Sequence, residues 1–84
     1  MNSRHRKTLE AVFAKPILRN IEWRRIEAML IAFGCELIEG RGSRVAFKWN
    51  GLRADFHRPH PGKEAKPYQV RAVREFLERL EVRP

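Results

Sequence analysis

A single cysteine, Cys35, stands in the 84 residues. It excludes an internal disulfide and suits a reducing compartment; it reads as a small buried side chain at the start of a strand. Long apolar runs are missing too, since no stretch approaches the ~18 residues that span a bilayer. The opening Met1 to Lys7 is basic, yet no apolar segment follows it. It therefore does not read as a secretory signal, and a cytoplasmic setting is expected. Histidine is scarce: His5, His57 and His60, with one cysteine, lack the paired short spacing of a zinc module. Gly40-Arg41-Gly42-Ser43 lacks the lysine and the strand-to-helix setting of a phosphate-cradling loop. No metal or cofactor is called for, and no repeat or low-complexity stretch interrupts the chain.

What the chain does have is positive charge. Eighteen Lys and Arg against ten Asp and Glu leave +8 at neutral pH, most of the cations being arginine. The planar guanidinium fork suits phosphate better than a lysine point charge does. A nucleic acid or an acidic protein is the expected partner. Small domains are also basic without such a partner, so charge alone leaves the matter open. At this length the chain holds one modest core, with residues 1–18 read as a helical extension and 19–84 as the domain proper.

Hydrophobic spacing supplies the elements. Ser3 to Lys15 carries Leu9, Val12 and Phe13 at helical spacing, with Ser3 as candidate cap and Pro16 as the stop. Trp23, Ile26, Leu30 and Phe33 define a second helix, capped by Asn20 and ended by Gly34. From Cys35 the period becomes two: Cys35, Leu37 and Glu39, then Val45, Phe47 and Trp49, then Leu52, Ala54 and Phe56. Asn50-Gly51 fits a two-residue hairpin turn that needs positive φ at both positions, and Pro59 and Pro61 end the sheet. Pro67 suits a first helical turn, and Val70, Val73, Leu77 and Leu80 give the last helix its stripe. The predicted fold class is α+β, a three-stranded antiparallel sheet with helices packed on one face.

The turn also predicts a register, with Trp49 opposite Leu52, Phe47 opposite Ala54 and Val45 opposite Phe56 on the face the helices cover. The other face then holds Lys48 opposite Arg53, Ala46 opposite Asp55 and Arg44 opposite His57. Like charges directly opposed are destabilising, a cost that a bound anion removes. A solvated outer face carries such charges as well, and the pattern does not separate the two. Histidine exchanges protons near neutral pH. His57, at a strand end among arginines, is placed to take the proton of an RNA 2′-OH or to protonate a leaving 5′-oxygen, with cations steadying the phosphorane. An exposed strand-end histidine without a role is the plainer alternative. His60, held between Pro59 and Pro61, can order its loop, contact phosphate or share the proton work.

At Gly42-Ser43 and at Phe56-His57-Arg58-Pro59-His60-Pro61-Gly62-Lys63-Glu64 the chain resembles the HicA family of bacterial toxin–antitoxin ribonucleases, over roughly Glu22 to Leu80. The resemblance implies a double-stranded-RNA-binding-domain-like fold, ribosome-independent cleavage of mRNA, and inhibition by a HicB-type antitoxin. The first helix lies outside it, as an extra N-terminal element. Candidate catalytic residues are His57, Arg44 and His60; Arg41, Ser43, Lys48, Arg53, Arg58 and Lys63 are candidate RNA contacts. In the family the glycine-serine is usually followed by the catalytic histidine, and here Arg44 occupies that position. Either the imidazole has moved across the hairpin to His57, or the domain binds RNA or its antitoxin without cleaving.

Overall fold

The computed structural model describes residues 2–84. Helices α1 (Ser3–Val12) and α2 (Trp23–Phe33) precede strands β1 (Glu36–Glu39), β2 (Arg44–Trp49) and β3 (Leu52–His57), and helix α3 (Pro67–Arg79) closes the chain. The strands form one antiparallel sheet in the order β1-β2-β3. The predicted α+β class and the extra N-terminal helix are both present.

The hairpin register is the one the turn dictates. Trp49 pairs with Leu52, Lys48 with Arg53, Ala46 with Asp55 and Arg44 with His57. Asn50 and Gly51 have φ of 52° and 77°, the left-handed pair that aligns a turn with the twist of its strands. Gly34 stops α2 in the left-handed region at φ 116°. Val45, Phe47 and Phe56 are buried beneath the helices, while Arg44, Lys48, Arg53, Asp55 and His57 stay exposed. Ala46 belongs to the outer face by register but is buried, its short side chain sunk between Ile38 and Asp55 on the flanking strands.

Two helix starts differ from expectation. The side chain of Asn2, not Ser3, caps α1 by accepting the His5 amide at 2.9 Å, and the helix ends at Val12 rather than Lys15. Asn20 does not cap α2. The backbone of Ile21 and Glu22 runs into α2 paired with the loop after β3, Trp23 N donating to Lys63 O at 2.9 Å and Ala65 N to Ile21 O at 2.8 Å. Those bonds hold the segment out of the helix until Trp23. Cys35 sits one residue before β1, buried, its amide bonded back to Leu30 O at 3.0 Å.

Leu9 and Val12 of α1 join Ile26, Met29 and Leu30 of α2 and Val70, Val73 and Leu77 of α3 in one core with the inner sheet face. Each such large apolar side chain contributes ~1.5–3 kcal/mol when fully buried. Phe56 meets Trp23 and Phe47 edge to face, ring centroids 5.4 and 6.2 Å apart. Arg74 ties α3 to the end of α1, donating to the carbonyls of Val12 and Ala14 at 3.0 Å that the helix leaves unpaired. Among the described residues, no helix is long and apolar enough to cross a membrane.

Candidate nucleic-acid interface

Strand alternation places the charged residues, and the hairpin register brings them together. Arg44 opens β2 and His57 closes β3, directly opposite each other. The ladder extends one step further, with Arg58 N donating to Ser43 O at 2.8 Å. This brings Ser43 Oγ to 3.5 Å from His57 Nδ1, the outer limit of hydrogen bonding. The Gly40–Ser43 turn is fastened by both backbone groups of Arg44, whose amide reaches Arg41 O at 3.0 Å and whose carbonyl takes Gly40 N at 2.9 Å.

The opposed cations Lys48 and Arg53 have a local counter-charge. Arg53 bonds the carboxylate of Asp55, two residues along its own strand, at 3.0–3.2 Å. The Arg53 hydrogen bond holds the Asp55 carboxyl below its usual range, and the nearby charge of Arg44 adds to the effect. A shallow depression of about 270 Å³ on the outer face is rimmed by Arg41, Arg44 and this Arg53–Asp55 pair. With three arginines against one carboxylate around one hollow, the face is suited to phosphate.

Arg58 stands apart from the other predicted RNA contacts. Its Nε donates to Glu27 at 2.7 Å and its Nη1 to Glu39 at 2.8 Å. Both carboxylates, Glu27 first, favour its charged form. Glu27 also accepts the indole N–H of Trp23. Arg58 therefore clamps the chain after β3 to α2 and β1. Lys63 is exposed in the following loop, near a cleft of about 450 Å³ that Arg24, Arg58 and Pro59 also line. His60 is exposed on the same loop, and among the described residues no hydrogen bond joins it to His57 or Ser43.

Sequence reasoning missed the groups that hold His57 in place. Gln69 is 3% exposed and donates to His57 O at 2.6 Å, while its side-chain oxygen accepts the Lys66 amide at 2.8 Å. Its signal was available: a glutamine at the third position of a helix opening on proline, where such a side chain reaches back to the cap. Glu27 and Glu39 gave no comparable sign, because only tertiary folding brings them to Arg58.

Helix α2, the sheet and α3 form one continuous segment that positions this face. Residues 23–82 match the family described as HicA toxin of bacterial toxin-antitoxin. The match begins with α2 and leaves α1 outside. No curated protein and no solved structure matches the chain. The chain thus belongs to the HicA family of toxins from bacterial toxin–antitoxin systems.

Proposed function

We propose that this toxin is a cytoplasmic, metal-independent endoribonuclease that cleaves mRNA through His57. The observation that carries the reading is the opposition of His57 and Arg44 on one hydrogen-bonded ladder, with Ser43 Oγ 3.5 Å from His57 Nδ1. In the step we envisage, His57 Nε2 takes the proton from an RNA 2′-OH. The freed oxygen attacks the adjacent phosphorus, the bond to the 5′-oxygen breaks, and that oxygen takes a proton from His60. Arg44 and Arg41 stabilise the charge gathered on the phosphorane oxygens, and Lys48, Arg53 and Lys63 hold the flanking strand. The fragments end in a 2′,3′-cyclic phosphate and a 5′-OH. Arg58 serves this site as a positioning residue, since its fork is already held by Glu27 and Glu39.

A HicB-type antitoxin is the proposed inhibitor, presenting acidic side chains to Arg44, Lys48 and Arg53 and covering His57. A second reading has a specific observation behind it: Arg44 sits where the family usually carries its catalytic histidine, so the domain binds RNA and its antitoxin without chemistry. Mass spectrometry of RNA incubated with the protein in EDTA separates the two. Cyclic-phosphate ends support the ribonuclease; intact RNA in a stable complex supports the second reading.

A further inference from the structure

Helices α1 and α2 enclose a groove of about 390 Å³ lined by Arg4, His5 and Thr8 from one and Arg24, Arg25 and Ala28 from the other. No carboxylate lines it. Arg24 makes an ion pair with Glu22 at 2.7 Å yet remains 80% exposed; among the described residues, Arg4 and Arg25 have no ion-pair partner. The cations occupy the first turns of both helices, where Glu22 at the cap of α2 pairs with Arg24 alone and the helix's own positive end opposes them. A bound anion removes that cost.

The groove adjoins the loop that follows His57. Arg24 also lines the neighbouring cleft, together with its partner Glu22, with Lys63 and with Arg58 and Pro59, the two residues that follow His57. From the loop that follows His57, Lys63, Arg24, Arg25 and Arg4 therefore line two adjoining depressions, with Glu22 on Arg24 as the one carboxylate among them. Such spacing suits a run of phosphates, each neutralised in turn, whereas a compact acidic group would fill only one part of it.

We infer that the α1–α2 groove is a second RNA-backbone track, which the N-terminal helix adds to the family domain and which holds the strand leaving the His57 site. The proposal rests on RNA being the ligand and does not depend on cleavage. It gives α1, outside the family match, a function: lengthening the bound strand without contacting the reacting phosphate.

The test uses the full chain, the Arg4→Gln/Arg25→Gln variant and the charge-keeping Arg4→Lys/Arg25→Lys variant, each checked for an unchanged thermal melt. Binding is measured against uncleavable 2′-O-methyl RNA as a trinucleotide and as a dodecamer. Even at a stacked rise of ~3.4 Å per nucleotide, the dodecamer exceeds the 31 Å long axis of the protein. The glutamine variant is expected to bind the trinucleotide as before and the dodecamer about tenfold more weakly. Its salt slope falls by about 1.4, at ~0.7 per lost phosphate contact, while the lysine variant keeps the parent slope. Equal dodecamer affinity and slope for the glutamine variant and the parent overturn the track. So does a loss confined to a poly-glutamate peptide, which marks the groove as a surface for acidic protein. If the parent binds no RNA, both the track and the ribonuclease fall. If the dodecamer result holds but unmodified RNA stays uncut, the track stands and the ribonuclease falls.

Discussion

Gln69, on the first turn of α3, donates its side-chain amide to the backbone carbonyl of His57 at 2.6 Å. The same side chain accepts the Lys66 amide, so one buried group joins the start of α3 to the end of β3. A helix-capping residue thus also fixes where the proposed proton-transfer group stands.

Replacing Gln69 with leucine removes both bonds and leaves two partly buried backbone groups unpaired. The expected loss is ~1–3 kcal/mol of stability, read from the urea midpoint. Gln69→Glu keeps the acceptor for Lys66 but loses the donor to His57. It is expected to lower RNA cleavage more than its smaller loss of stability accounts for.

Arg58 shows what the sequence concealed. As one cation in a basic run it reads as a phosphate contact; in the fold it bonds Glu27 and Glu39. Arg58→Ala leaves Glu27 without its counter-charge in a largely enclosed position, at an expected cost of ~2–4 kcal/mol. Arg58→Lys restores little, because an ammonium cannot span both carboxylates as the fork does. Thermal melts of the two variants side by side check this.

The strands, their register and the charged outer face were all legible before folding, because Asn50-Gly51 fixes one turn and alternation does the rest. The helix starts were less so. Asn20 looks like a cap, but the backbone of Ile21 to Trp23 finds partners in a loop forty or more residues on, which no local signal reports. Arg74 bonding the end of α1 and Glu27 meeting Arg58 are likewise contacts between distant segments. Of the candidate site, the pairing of Arg44 with His57 was readable; the groups supporting it were not.

Asp55 is the carboxylate at the centre of a cationic face, bonded to Arg53. Asp55→Asn frees Arg53 and raises the positive potential. RNA binding is expected to tighten and its salt slope to steepen, by up to ~0.7 if one further phosphate contact forms. Anisotropy titrations at several salt concentrations read both. Because the Asp55 carboxyl is held below its usual range by Arg53, the pair is complete above the ordinary carboxylate value. It is lost only as pH falls through the lowered one.

Burial pushes the Cys35 thiol above its ordinary value. The unfolded thiol then ionises at a lower pH than the folded one, so the contribution is present at neutral pH and shrinks as pH rises past the ordinary thiol range. Alkylation by iodoacetamide at pH 8 is expected to be slow in the folded protein and fast once urea unfolds it. Fast labelling under native conditions would contradict the burial.

The central claim, that the proton-transferring imidazole stands on β3 opposite Arg44, is tested most directly by exchanging the two side chains. His57→Arg alone is expected to abolish RNA cleavage in EDTA. Adding Arg44→His to it returns an imidazole to the position the family usually uses and restores cleavage, with RNA affinity no weaker than the parent's in the single variant and back at the parent's in the double. Undiminished cleavage by His57→Arg, or a double exchange as inactive as the single one, contradicts the account.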